Sequence, residues 1–336
     1  FPTSNRTRSR RLCGVADTRL RFSLCTDRRA VSQHLTARET IAFVALRTGG
    51  GDFLYVLTGG QLPNTYLHTN FRLKSGSETL ALYDPQSNLI DSILIPELKA
   101  DVSIGRSGDG SKDSVVYSTP TPGSENVSNH FLGVLPEPVM SLPAGGYAQA
   151  IVLSVSESKP GASVHYTADG SSPAADSTVF PSDLVVHETT TLRVASFQDG
   201  YLSSKIQTLS YLISESSTLP QIALTTDPIN LFSEERGVYI KGDVASTQLP
   251  HFGANFWREW ERPVSVELFA AEGELLLSQN AGLKVHGGWS RAAPQKSLAL
   301  IARNRYGDNR FRYPVFSEKP IGEFKQWLLR NSGNDW

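Results

Sequence analysis

"VHYTADGSSP" (residues 164–173) alternates apolar and polar side chains and then enters a turn. The turn is marked by Asp169-Gly170, because glycine reaches positive φ without a Cβ clash. Three more alternating runs surround it, bounded by Gly, Pro, Asp and Ser clusters: QAIVLSVS (149–156), TLRVASF (191–197) and QTLSYLI (207–213). Four runs at this spacing predict a small β-sandwich over residues 136–214.

The residues before this unit have the same strand-and-turn texture from about position 48. DFLYVLTGG (52–60) alternates and ends on glycines, and ETLALYDPQSNLIDSILIP (78–96) indicates two strands joined at Asp84-Pro85. The proline-rich STPTPGSEN (118–126) cannot be a central strand, because proline lacks the N–H that a ladder needs. We therefore expect a β-domain over residues 48–130.

Residues 1–47 differ in composition from everything that follows. They hold ten arginines and no lysine, since the first lysine is Lys74, and they show no sustained period of 2 or 3.6. One interpretation is a basic arm for nucleic acid, although aromatic residues for base stacking are sparse. The other interpretation is a disordered or out-of-frame beginning. Cys13 and Cys25 are too far apart for the usual zinc-ligand spacing.

Residues 219–336 combine one short helix with several strands. Asp227 before Pro228 predicts a helix over 228–235, because Asp caps a helix start and Pro fits its first turn. Strand-like segments follow: GVYIKG (237–242), RPVSVELFAAEGELLLSQNAGLKVHGG (262–288), KSLALIAR (296–303) and FKQWLLRNSG (324–333). A turn at Glu272-Gly273 divides the longest of them. The last strand lies so near Trp336 that we expect an incomplete domain.

Composition and charge exclude some function classes for the chain as a whole. The hydrophobic fraction of 39% can supply ordinary cores. A net charge of −1 gives no overall attraction to nucleic acid or anionic membranes, so we expect no nucleic-acid partner. No apolar run approaches the ~18–20 residues that a membrane span needs, so we expect no transmembrane segment.

The segment GLKVHGGWSRAAPQKSLALIARNRYG (282–307) holds the candidate site residues Lys296, Arg291 and Ser290. Lys296 starts a predicted strand beside a glycine-containing loop, which in outline is how a kinase holds nucleotide phosphates. Neither GxGxxG nor GxxxxGK[ST] is present. The alternatives are a snorkelling edge lysine and a solvated hairpin tip. The tryptophans are predicted to serve core or loop packing.

The central unit resembles the small C-terminal β-sandwich of chitobiases and hexosaminidases. The residues that carry the resemblance are VHYTADGSSP with STVF (177–180), followed by TTTLRVASFQDGYLSS (189–204). In that family the module lies outside the catalytic barrel. The resemblance therefore implies that Asp169 forms a turn and is not an acid catalyst.

The unit before it resembles the second half of a bacterial lamin-tail domain, an immunoglobulin-like sandwich. The resemblance rests on residues 67–93, on SIGR (103–106) and on PTPGSEN (120–126). The family's opening strands should lie upstream of Gly49, where the arginine-rich stretch does not match them. This mismatch is the reason for the out-of-frame hypothesis for residues 1–47.

Residues 219–336 resemble the N-terminal part of a CotH-type spore-coat kinase domain. LPQIALTTDPINLF (219–232), WERPVSVELF (260–269) and the segment around Lys296 carry the resemblance. It implies an atypical kinase-like fold that uses ATP and Mg²⁺ to phosphorylate protein Ser/Thr, with Lys296, Arg291 and Ser290 as candidate phosphate contacts.

The resemblance places the metal-binding and catalytic acids of that family in later sequence. Of the terminal polar residues Asn331, Asn334 and Asp335, the last is expected to cap a coming helix. We therefore assign no catalytic or metal-binding residue and expect residues 1–336 to be inactive as a kinase.

The complete prediction is a mainly β chain with two immunoglobulin-like β-sandwich modules followed by an incomplete α+β kinase-like domain. Its favoured function is that of a fragment of a multidomain, exported bacterial protein of kinase lineage, located outside the cell or at its surface. The alternative is a non-catalytic adhesion protein that binds a protein, carbohydrate or other cell-surface ligand.

Overall fold

A computed structural model of the chain describes residues 129–331 except 157, 158, 216 and 317. Before residue 129 it describes segments 87–96, 98, 102–107 and 111–120, and the backbone of the strands between 10 and 83. The chain divides into two compact units. Unit 1 comprises residues 1–135 with 198–203, and unit 2 comprises residues 136–197 with 204–336.

Unit 1 is built of two β-sheets. Its strands are β1 (Arg10–Cys13), β2 (Arg21–Thr26), β3 (Ala42–Arg47), β4 (Phe53–Thr58), β5 (His68–Thr69), β6 (Glu78–Tyr83), β7 (Leu89–Ile95), β8 (Ser103–Arg106), β9 (Ser114–Tyr117) and β10 (His130–Phe131). One sheet has the order β1-β6-β7 and the other has the order β10-β9-β8-β2-β3-β4-β5. Three strands therefore fall within the arginine-rich residues 1–47; the other residues of that stretch lie outside the described part.

Arg106 joins the two sheets of unit 1. Its guanidinium forms an ion pair with Asp91 on β7 and donates a hydrogen bond to the Ser92 carbonyl at 2.9 Å. The Arg106 carbonyl accepts a 2.8 Å hydrogen bond from the buried Tyr117 hydroxyl. The arginine of the SIGR motif therefore has a structural role between the sheets.

Unit 2 begins with the predicted sandwich. Its strands are β11 (Val139–Met140), β12 (Gly145–Tyr147), β13 (Ile151–Leu153), β14 (Val155–Ser156), β15 (Ser163–Thr167), β16 (Thr178–Val179), β17 (Leu184–Val186), β18 (Thr190–Phe197) and β19 (Gln207–Ile213). The main sheet has the order β12-β19-β18-β15-β16, and the pairs β11-β14 and β13-β17 complete the module. Its core includes fully buried Leu153, Val194 and Tyr211. The prediction of a mainly β chain is confirmed by the described residues.

The Asp169-Gly170 turn forms as the sequence predicts. Gly170 has a φ of 84°, and the Asp169 carboxylate accepts hydrogen bonds from the Ser171 N–H at 2.9 Å and hydroxyl at 2.6 Å. These bonds lower the pKa of Asp169. Arg193 on β18 supports the turn by donating to the Gly170 carbonyl at 2.8 Å. Asp169 therefore forms a turn, as expected.

The described residues in the remainder of unit 2 form a five-stranded antiparallel meander and three short helices. The elements are β20 (Gln221–Thr225), α1 (Pro228–Phe232), the 3₁₀ helix η1 (Asn255–Trp257), β21 (Arg262–Phe269), β22 (Leu275–His286), the 3₁₀ helix η2 (Trp289–Ala292), β23 (Ser297–Ile301) and β24 (Gln326–Leu329). Each strand pairs with the next in chain order. On β22, Leu283 and Val285 are buried while Lys284 and His286 face outward, as the alternation predicts.

Local signals set the start of α1 and the β21–β22 turn. The Asp227 carboxylate accepts the Ile229 N–H at 3.1 Å, and Pro228 opens the helix as predicted. The helix ends at Phe232, not at the predicted residue 235, because Ser233 is extended. The predicted turn at Glu272-Gly273 is also present, with Gly273 at a φ of 86°.

The sandwich packs against the five-stranded sheet within unit 2, although only the short polar segment 214–220 joins them. Glu267 on β21 is 1% exposed and accepts hydrogen bonds from the Ser210 N–H on β19 at 3.2 Å and from the Ser210 hydroxyl at 2.5 Å. Phe269 and Leu212 belong to one apolar cluster beside this contact. A buried carboxylate with two donors therefore sits between the two sheets.

Two glycines make close backbone contacts across the same interface. The Gly146 N–H donates to the Gly273 carbonyl at 2.8 Å, and a Cβ on Gly273 would lie 2.5 Å from the Gly146 Cα. A Cβ on Gly170 would lie 2.8 Å from the Thr226 carbonyl oxygen. The turn that carries the sandwich motif thus also contacts the segment before α1.

Candidate functional site

The turn between β22 and β23 brings together the three residues predicted from the sequence. Gly287 has a φ of 118°, and a Cβ there would lie 2.4 Å from the Ser290 hydroxyl oxygen. The Arg291 N–H donates to the Gly288 carbonyl at 3.0 Å, which closes η2. The turn is therefore a defined 3₁₀ structure in which glycine is required at position 287.

Lys296 points inward and holds this turn. It is 8% exposed, and its ammonium donates to the carbonyls of Arg291 at 2.7 Å and Ala293 at 2.9 Å. The ammonium also lies 4.1 Å from the centre of the Phe256 ring and 5.3 Å from that of Tyr239. Burial lowers the pKa of Lys296. The ring contacts could not be predicted from local patterns, because Phe256 and Tyr239 lie far from Lys296 along the chain.

Arg291 joins η2 to η1. Its Nε donates to the Gly287 carbonyl at 2.7 Å, and one Nη donates to the Trp257 carbonyl at 3.3 Å. It also pairs with Glu259, which forms a second ion pair with Lys284. The hydrogen bond from Lys284 is the main cause of the lowered pKa of Glu259. Arg291, like Lys296, therefore contributes its charge to the structure of the turn.

The tip of the turn presents an aromatic ring to solvent. Trp289 is 69% exposed, while Ser290 beside it is half-buried. On the neighbouring η1 side, Phe252 is 60% exposed and its ring centre lies 5.2 Å from that of Trp257. Trp257 packs against the core, as expected for the tryptophans, but Trp289 does not.

The segment WREWER (257–262) surrounds the site, although its charged residues were not predicted as part of it. Trp257 and Glu259 contact Arg291. Trp260 carries the Arg262 guanidinium 4.8 Å from its ring centre. The repeat of one tryptophan followed by two charged residues is the sequence signal that could have identified this segment.

Glu261 in the same segment binds two arginines from the loop after β23. Arg303 donates to both carboxylate oxygens at 2.9–3.1 Å, and Arg305 forms a second ion pair. Burial raises the pKa of Glu261, but these hydrogen bonds outweigh it and the net pKa is lowered. A Cβ at position 282 would lie 2.3 Å from the Glu261 carboxylate, so Gly282 leaves room for it.

The terminal polar residues are only partly described. Asn331 donates its side-chain amide to the Gln295 carbonyl at 2.8 Å, and its backbone N–H donates to the Ser297 hydroxyl at 3.1 Å. It therefore ties the end of β24 to the start of β23. Asn334 and Asp335 lie outside the described residues.

The described residues form neither a metal-ligand cluster nor a membrane-spanning helix. They contain no group of three or more His, Cys, Asp or Glu side chains placed to hold a metal ion. None of the helices there has the length and hydropathy to cross a membrane.

Comparison with known proteins identifies one module. Residues 142–208 match the family described as the Chitobiase/beta-hexosaminidase C-terminal domain. Neither the lamin-tail family nor the CotH-type family is found, and no curated protein matches the chain. The chain therefore contains a β-sandwich module similar to the C-terminal domain of chitobiases and hexosaminidases.

Proposed function

We propose that this chain is a ligand-binding part of an exported, multidomain bacterial protein, and that the turn carrying Trp289 contacts carbohydrate at a cell surface. The observation that carries the proposal is the 69% exposure of Trp289 on a turn fixed by Lys296 and Arg291. A fixed turn loses little conformational entropy when a ligand binds. The flat indole can cover the C–H face of a sugar ring while its N–H donates to a hydroxyl.

The sandwich module supports carbohydrate as the ligand class. Its family takes its name from two carbohydrate-active enzymes, chitobiase and beta-hexosaminidase. In unit 2 this module packs against the sheet that carries the turn, through Glu267 and Ser210. The ligand-binding turn would then belong to a rigid support, as binding loops commonly do.

A glycan array probed with the 336-residue chain tests the proposal. We expect retention on a subset of neutral or amino-sugar glycans. Trp289→Ala should weaken binding to the best of them by about 30-fold, the equivalent of about 2 kcal/mol for a central aromatic contact. Phe316→Ala, at an aromatic residue that is 53% exposed elsewhere, should leave binding unchanged. Equal affinities of the wild type and Trp289→Ala would refute the role of this turn.

The second candidate function is the CotH-type kinase lineage, with ATP and Mg²⁺ used by a longer parent protein. The specific observation in its favour is the position of Lys296 directly before β23, which belongs to an antiparallel sheet, and after a glycine-containing turn. Protein kinases carry their phosphate-contacting lysine on a strand in this way. A nucleotide would have to share the ammonium with the carbonyls of Arg291 and Ala293, or displace one of them.

A thermal-shift titration with Mg-ATP separates the two candidates. The carbohydrate proposal predicts no change in Tm when Mg-ATP is added. A nucleotide site would raise the Tm by mass action, and Lys296→Met would abolish that rise when measured against its own nucleotide-free baseline. Lys284→Met is the matched control, because that lysine lies on the adjacent strand and pairs with Glu259. A rise that only Lys296→Met removes would favour the kinase lineage.

A further inference from the structure

One surface of the five-stranded domain gathers arginines around Trp260. The guanidinium groups of Arg258 and Arg262 lie 5.7 and 4.8 Å from the centre of the Trp260 ring. Arg262 also donates to the Arg236 carbonyl at 2.9 and 2.6 Å. Burial, and after it the charge of Arg236, lowers the pKa of Arg262, so these two guanidinium groups affect each other.

The same surface continues into the loop after β23. Tyr306 interacts electrostatically with Arg262, and the Arg305 guanidinium lies 4.7 Å from the centre of the Tyr306 ring. Arg305 and Arg303 both pair with Glu261. We call this group the arginine surface; its members are Arg236, Arg258, Arg262, Arg303 and Arg305.

The arginine surface is strongly positive although the whole chain has a net charge of −1. Glu261 is the carboxylate that neutralises part of it, by pairing with two of its five guanidinium groups. Glu259, in the same segment, pairs with Lys284 and Arg291 instead. Glu234 and Glu235 precede Arg236, but in the described part of the chain neither forms an ion pair with the arginine surface.

The exposed guanidinium groups and the half-buried rings of the arginine surface determine which class of ligand it can bind. A guanidinium presents a planar fork of donors that matches a carboxylate or sulfate in two parallel hydrogen bonds. Arg258 is exposed, and Arg303 and Arg305 are about half exposed although each uses part of its guanidinium to bind Glu261. The Trp260 and Tyr306 rings are half-buried and already contacted by arginines, which disfavours the base stacking that single-stranded nucleic acid needs.

We propose that the arginine surface binds an acidic polysaccharide, whose repeated carboxylate or sulfate groups pair with the guanidinium fork of Arg258 and with those donors of Arg303 and Arg305 that do not bind Glu261. The Trp260 ring, which also contacts Arg262, positions the exposed Arg258. This surface uses none of the residues of the Trp289 turn. Binding of an acidic polysaccharide can therefore be tested independently of the proposal that carbohydrate binds at Trp289.

Titration of the 336-residue chain with heparin and with polygalacturonate tests the proposal. We expect binding to at least one of them, with a logarithm of the binding constant that falls linearly as the logarithm of the salt concentration rises, because condensed counterions are released. Arg258→Ala should lower that affinity by about tenfold, the size of one charge-assisted contact. Arg258→Lys should recover part of the loss. Arg312→Ala, which removes a charge that pairs with Asp308 and Glu323 outside the surface, should have no effect.

Three results would overturn the proposal. The first is failure to bind either polysaccharide at low salt. The second is an equal loss of affinity in Arg258→Ala and Arg312→Ala, which would indicate overall charge and not this surface. The third is tighter binding to DNA of matched length than to both polysaccharides, which would make the partner a nucleic acid.

Discussion

Replacing Gly273 with alanine is expected to destabilise unit 2 by about 3 kcal/mol. Its φ of 86° alone costs an L-residue about 1 kcal/mol or more. The new Cβ would also lie 2.5 Å from the Gly146 Cα, which belongs to backbone and cannot rotate away. Moving the turn that contains Gly273 away from β12 would relieve this clash, but it would lengthen the 2.8 Å hydrogen bond between the Gly146 N–H and the Gly273 carbonyl. We therefore expect overpacking to add about 1–3 kcal/mol to the loss of stability.

Urea denaturation followed by tryptophan fluorescence measures this effect. Gly322→Ala is the matched control, because an added Cβ there has no neighbour within 4 Å and the backbone is not in the left-handed region. Its midpoint should stay near that of the wild type. Equal midpoints for Gly273→Ala and Gly322→Ala would show that the sandwich and the sheet do not meet at this turn.

Glu267→Gln is expected to change how the stability of unit 2 depends on pH. Burial raises the pKa of Glu267 above its ordinary value of 4.5, and hydrogen bonds from Ser210 offset this only in part. The folded protein therefore holds the proton more tightly than the unfolded chain. Its stability should fall as pH rises from about 4.5 through the raised pKa, because deprotonation then leaves a buried carboxylate without a cation among its described contacts.

Glutamine at position 267 stays neutral and can keep both contacts with Ser210. Its amide can donate to the Ser210 hydroxyl, which lies 2.7 Å from the Thr191 hydroxyl and can donate there instead. Urea midpoints from pH 4 to pH 8 should thus decline less for Glu267→Gln than for the wild type. Glu267→Ala should lose about 3 kcal/mol at pH 5, because it leaves the Ser210 N–H without its acceptor and creates a cavity beside Phe269. Parallel pH profiles for wild type and Glu267→Gln would contradict this account.

Much of the fold follows from local sequence signals. The alternation in residues 164–173 and 262–288 matches the strands β15, β21 and β22, because one face of each is buried. The turns at Gly170 and Gly273 were predictable because both need positive φ, and Asp227 marked the start of α1. These signals depend on neighbours within a few residues.

The candidate site could be predicted only as a group of residues and not by their roles. Lys296, Arg291 and Ser290 do come together in one turn, but the sequence could not show that Lys296 lies against Phe256 and Tyr239. Glu267 falls in an alternating strand, where a carboxylate normally faces solvent. Its burial depends on Ser210, 57 positions earlier in the chain. Long-range pairs of this kind leave no periodic trace in a single sequence.

Hydrogen exchange of the 336-residue chain, with and without the best glycan from the array, tests the central claim most directly. The account predicts slower exchange of the amides in residues 287–292 when the glycan is present, and no change there when Mg-ATP is added. Protection of these amides by Mg-ATP, with none from the glycan, would contradict it and assign the turn around Lys296 to a nucleotide.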